Sequence, residues 1–401
     1  MSSVNPNVIC IASYEKGHAF LSQLASEGCN ITFLTTHKLR DAAWPWEAIR
    51  DIHTFSDVPE PAEVLQLVQR IARHLHVDRI VALDEFDLEA AALIREEMRL
   101  PGMGQSTTRH FRDKLAMRVR ARNAGVLVPD FIGIHTHEDV SLFLHSTQGP
   151  WLLKPRFSAA AIGIRTIQHP DDLWRALDEL GDRQHGFLLE CFVPGNVFHV
   201  DSVSWGGKTL LQSAQGYGTA PMSLMHSGGV FTTRTLDRST EESHALRAID
   251  TEVLRALGMI SGVTHSEFIK ADHDGRLYFL ESAARVGGAY IADLVEASTG
   301  INPWREWARI EAALAHGRDF ALSPVHEAYA GSVICLARQE SPDLSAYTDP
   351  EIVLRMPKHH HAGLLVQSQD AHRVEQLLGE YRQRFAEDFC ATLPPPDRPT
   401  S

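Results

Sequence analysis

The stretch Thr264–Gly288, THSEFIKADHDGRLYFLESAARVGG, decides how the rest of the chain is read. Apolar residues flank Asp272-His273-Asp274-Gly275, which predicts a β-hairpin with its turn near Asp274. Pairing symmetric about that residue sets Glu267 opposite Glu281, and directly opposed side chains lie about 5 Å apart on one face. Two like charges so placed destabilise a sheet, and burial makes each harder to ionise. A divalent cation reverses the sign of that interaction. Paired carboxylates suit Mg2+, which keeps water and phosphate oxygens in its octahedron and asks the protein for only one or two ligands. The competing reading is a solvated pair on a half-exposed sheet. Phe268, Ile269, Phe279 and Leu280 weigh against it, because they leave both faces near the glutamates apolar and therefore covered. Past the hairpin, Arg285 is placed to meet phosphate oxygens in a fixed fork. Gly287 and Gly288 either let backbone approach a ligand closely or make the turn into a helix at Tyr290–Thr299.

Upstream, Lys154 ends the apolar strand Trp151–Lys154 and precedes Pro155. Burying an ammonium there is costly unless an anion receives it, the alternative being a lysine that snorkels to solvent. The small residues from Ser158 to Gly163 offer backbone amides that can cover phosphates, but the pattern of a P-loop is missing. The first hundred residues alternate short apolar runs (Val8–Ser13, Asn30–Thr35, Arg79–Leu83) with helical stretches (Lys16–Glu27, Glu63–His74, Leu88–Arg99), which predicts an open parallel sheet covered by helices. Ligands of such sheets lie beyond the carboxyl ends of strands, where Asp84, Glu85 and Asp87 fall. Pro101, Gly102 and Gly104 mark a break. A small strand-rich unit at about 125–190 reads as a mobile lid. Gly206-Gly207 joins two strands as a hairpin turn. The long irregular segment Gln215–Thr232 reads as a functional loop, and by their placement in it Tyr217, Met222, Met225 and His226 are candidates to select a ligand side chain. A helix at Glu241–Leu257 starts at a Ser239 or Thr240 cap. The last 75 residues, with strands near Ala330–Ala337 and Gly363–Val366 and a helix at Ala371–Phe385, read as a small closing domain. The run His359-His360-His361, beside Lys358 and without a nearby carboxylate or cysteine, reads as a solvent-facing loop.

A chain of 401 residues accommodates two or three domains. The boundaries expected are 1–108, 109–325 with the lid inside it, and 326–401, with disorder confined to Met1–Asn7 and the proline-rich end Pro394–Ser401. Lys and Arg total 38 against 51 Asp and Glu, a formal charge of −13, and a field of that sign opposes nucleic-acid backbones. The five cysteines, Cys10, Cys29, Cys191, Cys335 and Cys390, are odd in number and contain no Cys-x-x-Cys pair, which favours reduced thiols in the cytoplasm. No stretch approaches 18 uninterrupted apolar residues, so no membrane span is expected.

Taken in order, these features resemble the ATP-grasp superfamily, in particular its carboxylate-amine ligases. Arg112-Asp113-Lys114 before a helix looks like the entry to the nucleotide domain, with Lys114 reaching ATP. Trp151–Pro155 is similar to the second lysine motif, with Lys154 on the α-phosphate side, and Ser158–Gly163 to the phosphate-covering loop. Glu190-Cys191-Phe192-Val193 resembles the hinge that reads adenine, which implies the Glu190 carboxylate or carbonyl facing the amino group and Cys191, Phe192 and Val193 beside the ring. Gly195 through Asp201 looks like the strand that follows. The most specific matches are Gly262–Glu267 and Glu281–Gly288. They imply Glu267 and Glu281 as magnesium ligands, and Arg285, Gly287 and Gly288 about the phosphate or acyl phosphate and the substrate. The run Glu281-Ser282-Ala283-Ala284-Arg285 is particularly similar to bacilysin-type L-amino-acid ligases, which make dipeptides. Two positions depart from the pattern. Ala283 stands where many relatives carry a metal-ligating Asn, and Val197 where many carry a ribose-binding acid.

The resemblance implies an α/β ATP-grasp fold with an N-terminal parallel-sheet domain, a lid subdomain and a small C-terminal α+β domain. It implies two Mg2+ ions, replaceable by Mn2+, with ATP as donor, a small carboxylate and amine as partners, and a homodimer as the common assembly. In the reaction implied, a carboxylate attacks the terminal phosphorus of ATP, and an amine attacks the resulting acyl phosphate to give an amide, ADP and phosphate. His199, Asp201 or His265 are candidates to deprotonate the amine, while a histidine in an apolar strand is otherwise a hydrogen-bonded core residue. The same residues would serve a ligase of non-amino-acid carboxylates or bicarbonate, or a nucleotide-binding regulator without chemistry.

Overall fold

The computed structural model describes residues 5–159, 161–222, 224 and 229–391. Asn7–Ala12 (β1), Asn30–Thr36 (β2), Asp51–Phe55 (β3) and Arg79–Ala82 (β4) form a parallel sheet in the order β3-β2-β1-β4. Alternate residues of β1 feed two cores. Val8, Cys10 and Ala12 pack with the helices His18–Ser26 and Pro303–His316, whereas Ile9 and Ile11 pack with Pro61–Ile71 and Leu88–Met98. Covering both faces is what the uninterrupted apolar runs of β1 and β2 require. The expected disorder through Asn7 does not hold, because Asn7 already pairs with Asn30 and its N–H donates to Asp78. The expected disorder at 394–401 lies outside the described residues.

Phe131–Gly133 (β5), Trp151–Pro155 (β6), Arg165–Ile167 (β7) and Phe187–Cys191 (β8) make a small antiparallel sheet in the order β5-β8-β6-β7. The helices His137–Ser146 and Pro170–Leu180 bury Val140, Leu173 and Leu177 against Trp151, Leu153 and Leu189. This is the strand-rich unit read at about 125–190.

The third sheet comprises Gly195–Trp205 (β9), Lys208–Tyr217 (β10), Val230–Thr235 (β11), Gly262–Ala271 (β12), Leu277–Ala283 (β13), Tyr329–Leu336 (β14), Ile352–Arg355 (β15) and His361–Ser368 (β16). Its antiparallel order is β13-β12-β9-β10-β11-β14-β16-β15. Gly206 and Gly207 both have positive φ, 58° and 77°, the backbone that a tight β9-β10 hairpin requires. The segment expected to be irregular from Gln215 to Thr232 is shorter, since β10 continues to Tyr217 and β11 starts at Val230. Because β11 pairs with β14, residues beyond 326 extend the sheet that carries the hairpin instead of building a sheet of their own. The helix Ala371–Asp388 packs on this extension through Val374, Leu378 and Tyr381.

One face of the large sheet, with Phe198, Val200, Ala214, Phe268 and Phe279, is covered by the helices Lys114–Asn123 and Glu241–Leu257. The Thr240 hydroxyl caps the second of these by accepting from the Ser243 N–H. On the opposite face Val203, Leu211 and Val263 pack against the first core, and further along come His199, Asp201, Tyr217, His265 and Glu267.

A bulge puts Glu281 on that second face. The turn closes with the Ala271 N–H donating to the Arg276 carbonyl, and from there Lys270 pairs with Leu277 and Phe268 with Phe279. A regular ladder would continue with Glu267 against Leu280 and leave Glu281 on the phenylalanine side. Leu280 is instead an extra residue, and Glu267 pairs with Glu281.

Gly195 allows the approach of β9 to the end of β12, since a Cβ there would fall well inside contact distance of the Lys270 carbonyl oxygen. Gly195→Ala is therefore expected to cost about 1–3 kcal/mol of stability, read as a lower urea midpoint. An unchanged midpoint would contradict the close approach.

Candidate active site

The hairpin is joined to the helix that begins at Lys114 through Glu281, lies near enough to the lysine strand for Lys154 to act on Glu281, and is joined to the end of the parallel sheet through Arg285 and Glu85. Glu267 accepts a hydrogen bond from Tyr217 Oη at 2.9 Å on Oε1, and Glu281 receives Lys114 Nζ at 2.8 Å on Oε2. Glu267 Oε2 and Glu281 Oε1 have no partner among the described residues. Burial works against ionisation of Glu281, but Lys114, Lys154 and Arg118 outweigh it and hold the carboxyl below the usual glutamate range. Two carboxyl groups on one face, each with one oxygen tethered and one free, fit a divalent cation.

Asp113 caps the helix Lys114–Asn123 through the Leu115 and Ala116 N–H groups and also pairs with Arg156. This fixes Lys114 at the first helical turn, where its Nζ donates to the Ser158 carbonyl at 2.6 Å as well as to Glu281. Arg112 donates to the Phe157 carbonyl at 2.9 Å. The loop predicted to cover phosphates is thus anchored at its start. The Ser158 hydroxyl donates to the Ile162 carbonyl, and Gly163 has φ of 75°.

Lys154 is buried at the end of β6, and the anion that receives it is Glu190, at 2.5 Å. Glu190 Oε2 accepts from Arg118 Nε at 2.8 Å, so the carboxylate is shared by two cations and is 1% exposed. Burial opposes the charge, but Arg118 and Lys154 keep the carboxyl below its usual range. The Glu190 carboxylate, one of the two Glu190 groups expected to face the adenine amino group, is thus occupied as a counter-ion in this structure. Its backbone is also occupied, being paired with Phe131 on one side and Leu152 on the other. In the rest of the hinge, the Cys191 N–H donates to the Asp130 carbonyl and the Phe192 N–H to the Pro150 carbonyl. The side chain of Phe192 is exposed and that of Val193 half-buried.

His199, Asp201 and His265 form a buried chain. Asp201 receives His199 Nδ1 at 2.8 Å on one oxygen and His265 Nδ1 at 2.9 Å on the other, while His199 Nε2 meets Thr233 Oγ1 at 2.8 Å. Their ligating atoms lie within 4.8 Å of one another, but these hydrogen bonds already use them. Burial opposes charge on His265, yet Asp201 and Glu267 raise its pKa to about 10, so it carries its proton at neutral pH. Burial lowers that of His199, whose two nitrogens are both engaged. Burial likewise opposes charge on Asp201, but His265 and His199 hold its carboxyl well below the aspartate range. The three candidates for amine deprotonation are thus hydrogen-bonded to one another, with both nitrogens of His199 engaged and Asp201 accepting from both histidines. The group orders the floor of the site. Gly287 lies on it, since a Cβ there would come within 3.0 Å of Asp201 Oδ1 and His265 Nδ1, whereas Gly288 faces open space. The helix after the glycines begins at Ile291.

Arg285 Nη2 reaches Glu85 Oε2 at 2.8 Å, which joins the hairpin to the end of β4. Tyr217 lies at the metal-type glutamates, and His226 lies outside the described residues. Val197 is buried in β9, and Ala283 pairs with His265. His359 and His360 are exposed, as a solvent-facing loop requires, but His361 is half-buried at the start of β16, and His359 Nδ1 has a carboxylate nearby after all, Glu340 Oε1 at 3.6 Å. Arg118 and the Tyr217 contact to Glu267 gave no local sequence signal, because each partner lies 50 or more residues away.

The architecture these features define is the ATP-grasp fold. The chain is 24% identical over 259 residues to the L-arginine-specific L-amino acid ligase of Bacillus subtilis, an alignment that covers 63% of this chain and 62% of the relative. It is 26% identical over 265 residues to an alanine–anticapsin ligase from Bacillus subtilis, covering 59% and 54%. The chain thus spans less than two thirds of the length of these curated relatives. Superposition on the crystal structure of an L-amino acid ligase from Bacillus licheniformis gives a TM-score of 0.74 at 20% identity, covering 97% of this chain and 99% of the other. No protein-family profile matches the sequence. The five cysteines are unpaired, and no helix among the described residues is long and apolar enough to cross a membrane.

Asp87, at the end of β4, is buried beside Asp84. Burial first, then Asp84, push its carboxyl up to about 7 against hydrogen bonds from the Ser13 N–H and hydroxyl. A carboxyl raised by folding contributes stability below its unfolded pKa, about 4, and loses it as pH rises through the folded value. Asp87→Asn is expected to flatten the change of unfolding free energy across that interval. Parallel urea-derived profiles for the two proteins would contradict this.

Proposed function

We propose that the chain is an ATP-dependent carboxylate-amine ligase that forms an amide, with amino acids as substrates. The observation that carries the reading is the pair Glu267 and Glu281 on one face of a bulged hairpin, with Lys114 and Lys154 close by. Glu267 and Glu281 would hold Mg2+, which supplies charge neutralisation on the terminal phosphates. Lys114 and Lys154, now bound to Glu281 and Glu190, are the ammonium groups available to the nucleotide once phosphate oxygens compete for them. Ser158 and the loop to Gly163 lie beside Lys114, suited to cover the triphosphate. Cys191, Phe192 and Val193 are the hinge segment proposed to flank the adenine ring.

In the reaction, one oxygen of the acid attacks the terminal phosphorus, the bond to the bridging oxygen of ADP breaks, and an acyl phosphate forms. The amine nitrogen then attacks the acyl carbon, phosphate leaves with its electron pair, and the nitrogen releases a proton. Positioning and fixed charge do the work. Water would destroy the acyl phosphate, so coverage by the 125–190 unit serves the chemistry. Likeness to amino-acid ligases supports amino acids as the substrates. A cytoplasmic location and a homodimer accompany this reading.

Phosphate release screened against amino-acid pairs with Mg-ATP, with mass spectrometry of the products, tests the reading. A product lighter by one water than its two substrates is expected. Glu281→Gln is expected to lower phosphate release by at least about 100-fold, the loss of roughly 3 kcal/mol of charge stabilisation, with an unchanged circular dichroism spectrum. Undiminished turnover rules out its metal role.

A further inference from the structure

Three carboxylates stand at the end of β4, and two of them are committed locally. Asp84 pairs with Lys16 and accepts from the Phe86 N–H, and Asp87 takes both donors of Ser13. Glu85 instead crosses to Arg285, 200 residues further on. Its Oε2 receives both Nε at 3.1 Å and Nη2 at 2.8 Å, while its Oε1 has no partner among the described residues. Arg285 spends one more donor on the Val286 carbonyl, from Nη1 at 2.9 Å. Of its five N–H donors two remain. The side chains of Arg285 and Glu85 are only 16% and 9% exposed.

A buried ion pair of this kind adds little net stability, yet removing one partner alone is costly because the other is left buried and uncompensated. A carboxylate or phosphate ligand that captured Arg285 would strand Glu85 beside a second negative charge. A ligand that brings its own cation next to its carboxylate avoids this penalty, because it replaces both partners together. An α-amino acid has that form, its ammonium and carboxylate being on one carbon. Asp84 cannot take the ammonium in place of Glu85 without releasing Lys16.

We propose that Glu85 and Arg285 are together the receptor for the zwitterion of the amino acid whose carboxylate is activated. Arg285 exchanges Glu85 for the substrate carboxylate, and Glu85 exchanges Arg285 for the α-ammonium. This rests on the ligase reading and deepens it: the pair selects α-amino acids over acids of the same side chain that lack the amino group, and over bicarbonate.

The test supplies hydroxylamine as a fixed amine, so that only the acid varies, and measures hydroxamate and ADP with matched pairs such as alanine and propionate or phenylalanine and 3-phenylpropionate. The wild-type protein is expected to prefer the amino acid by at least about 100-fold in kcat/KM, and Glu85→Gln to reduce that ratio by at least about 10-fold, as loss of a charge-assisted hydrogen bond implies. Glu85→Asp, which keeps the charge, is expected to preserve most of the preference with a raised KM. An unchanged ratio in Glu85→Gln, with ADP still formed, overturns the receptor while leaving the ligase reading intact. Absence of ADP with every acid overturns both. Should Glu85→Gln fail to fold, calorimetry on the wild-type protein with Mg-ADP decides. Alanine binding at least about 10-fold tighter than propionate and than ethylamine supports the receptor, and equal binding overturns it.

Discussion

Two carboxylates placed opposite each other in neighbouring strands repel, and a fold keeps such an arrangement only if other charges compensate it. Here the placement needs an additional backbone feature, the extra residue Leu280, without which Glu281 would point into the core between Phe268 and the helices. Tyr217 tethers Glu267 and Lys114 tethers Glu281, and each glutamate keeps one oxygen without a partner among the described residues. The large sheet supplies the floor, the small sheet supplies Lys154, and the end of the parallel sheet supplies Glu85.

The charges of the cleft share one property: each cation suited to an anionic ligand is held by a carboxylate. Lys114 is held by Glu281, Lys154 by Glu190 and Arg285 by Glu85. Glu190 differs from the other two because Arg118 also binds it, so it stays compensated when Lys154 turns toward a phosphate. Ligand binding in such a site is an exchange of partners, which limits the desolvation cost on both sides. The Asp201 chain has the opposite character. Its donors and acceptors are satisfied internally, and Gly287 closes over it.

What the sequence disclosed follows from how local each interaction is. The hairpin was legible because both strands and their turn lie within 22 residues, and the facing of Glu267 and Glu281 came out correctly although symmetry about Asp274 was the wrong reason: a turn centred half a residue earlier and a bulge at Leu280 cancel. The parallel sheet was legible from the apolar runs of β1, β2 and β4. β3 and β7 are short and interrupted by polar residues, and β15 is apolar but only four residues long, so none carries such a signal. β11 was hidden in a segment rich in glycine and threonine, and missing it concealed the continuity of the large sheet through β14. The ion pairs of Glu190 were not legible because its partners, Arg118 and Lys154, are 72 and 36 residues away. The participation of Asp84 and Glu85 in the cleft was foreseeable from their place after a parallel strand, but the pairing with Arg285 was not.

The central claim is that the two facing glutamates grip a divalent cation bearing the end of a nucleotide triphosphate. The most direct measurement is a crystal structure with Mn2+ and a non-hydrolysable ATP analogue, with the metal located by its anomalous signal. A peak between Glu267 and Glu281, in contact with the terminal phosphates, is expected. A triphosphate bound elsewhere, with no metal between these two side chains, would contradict it.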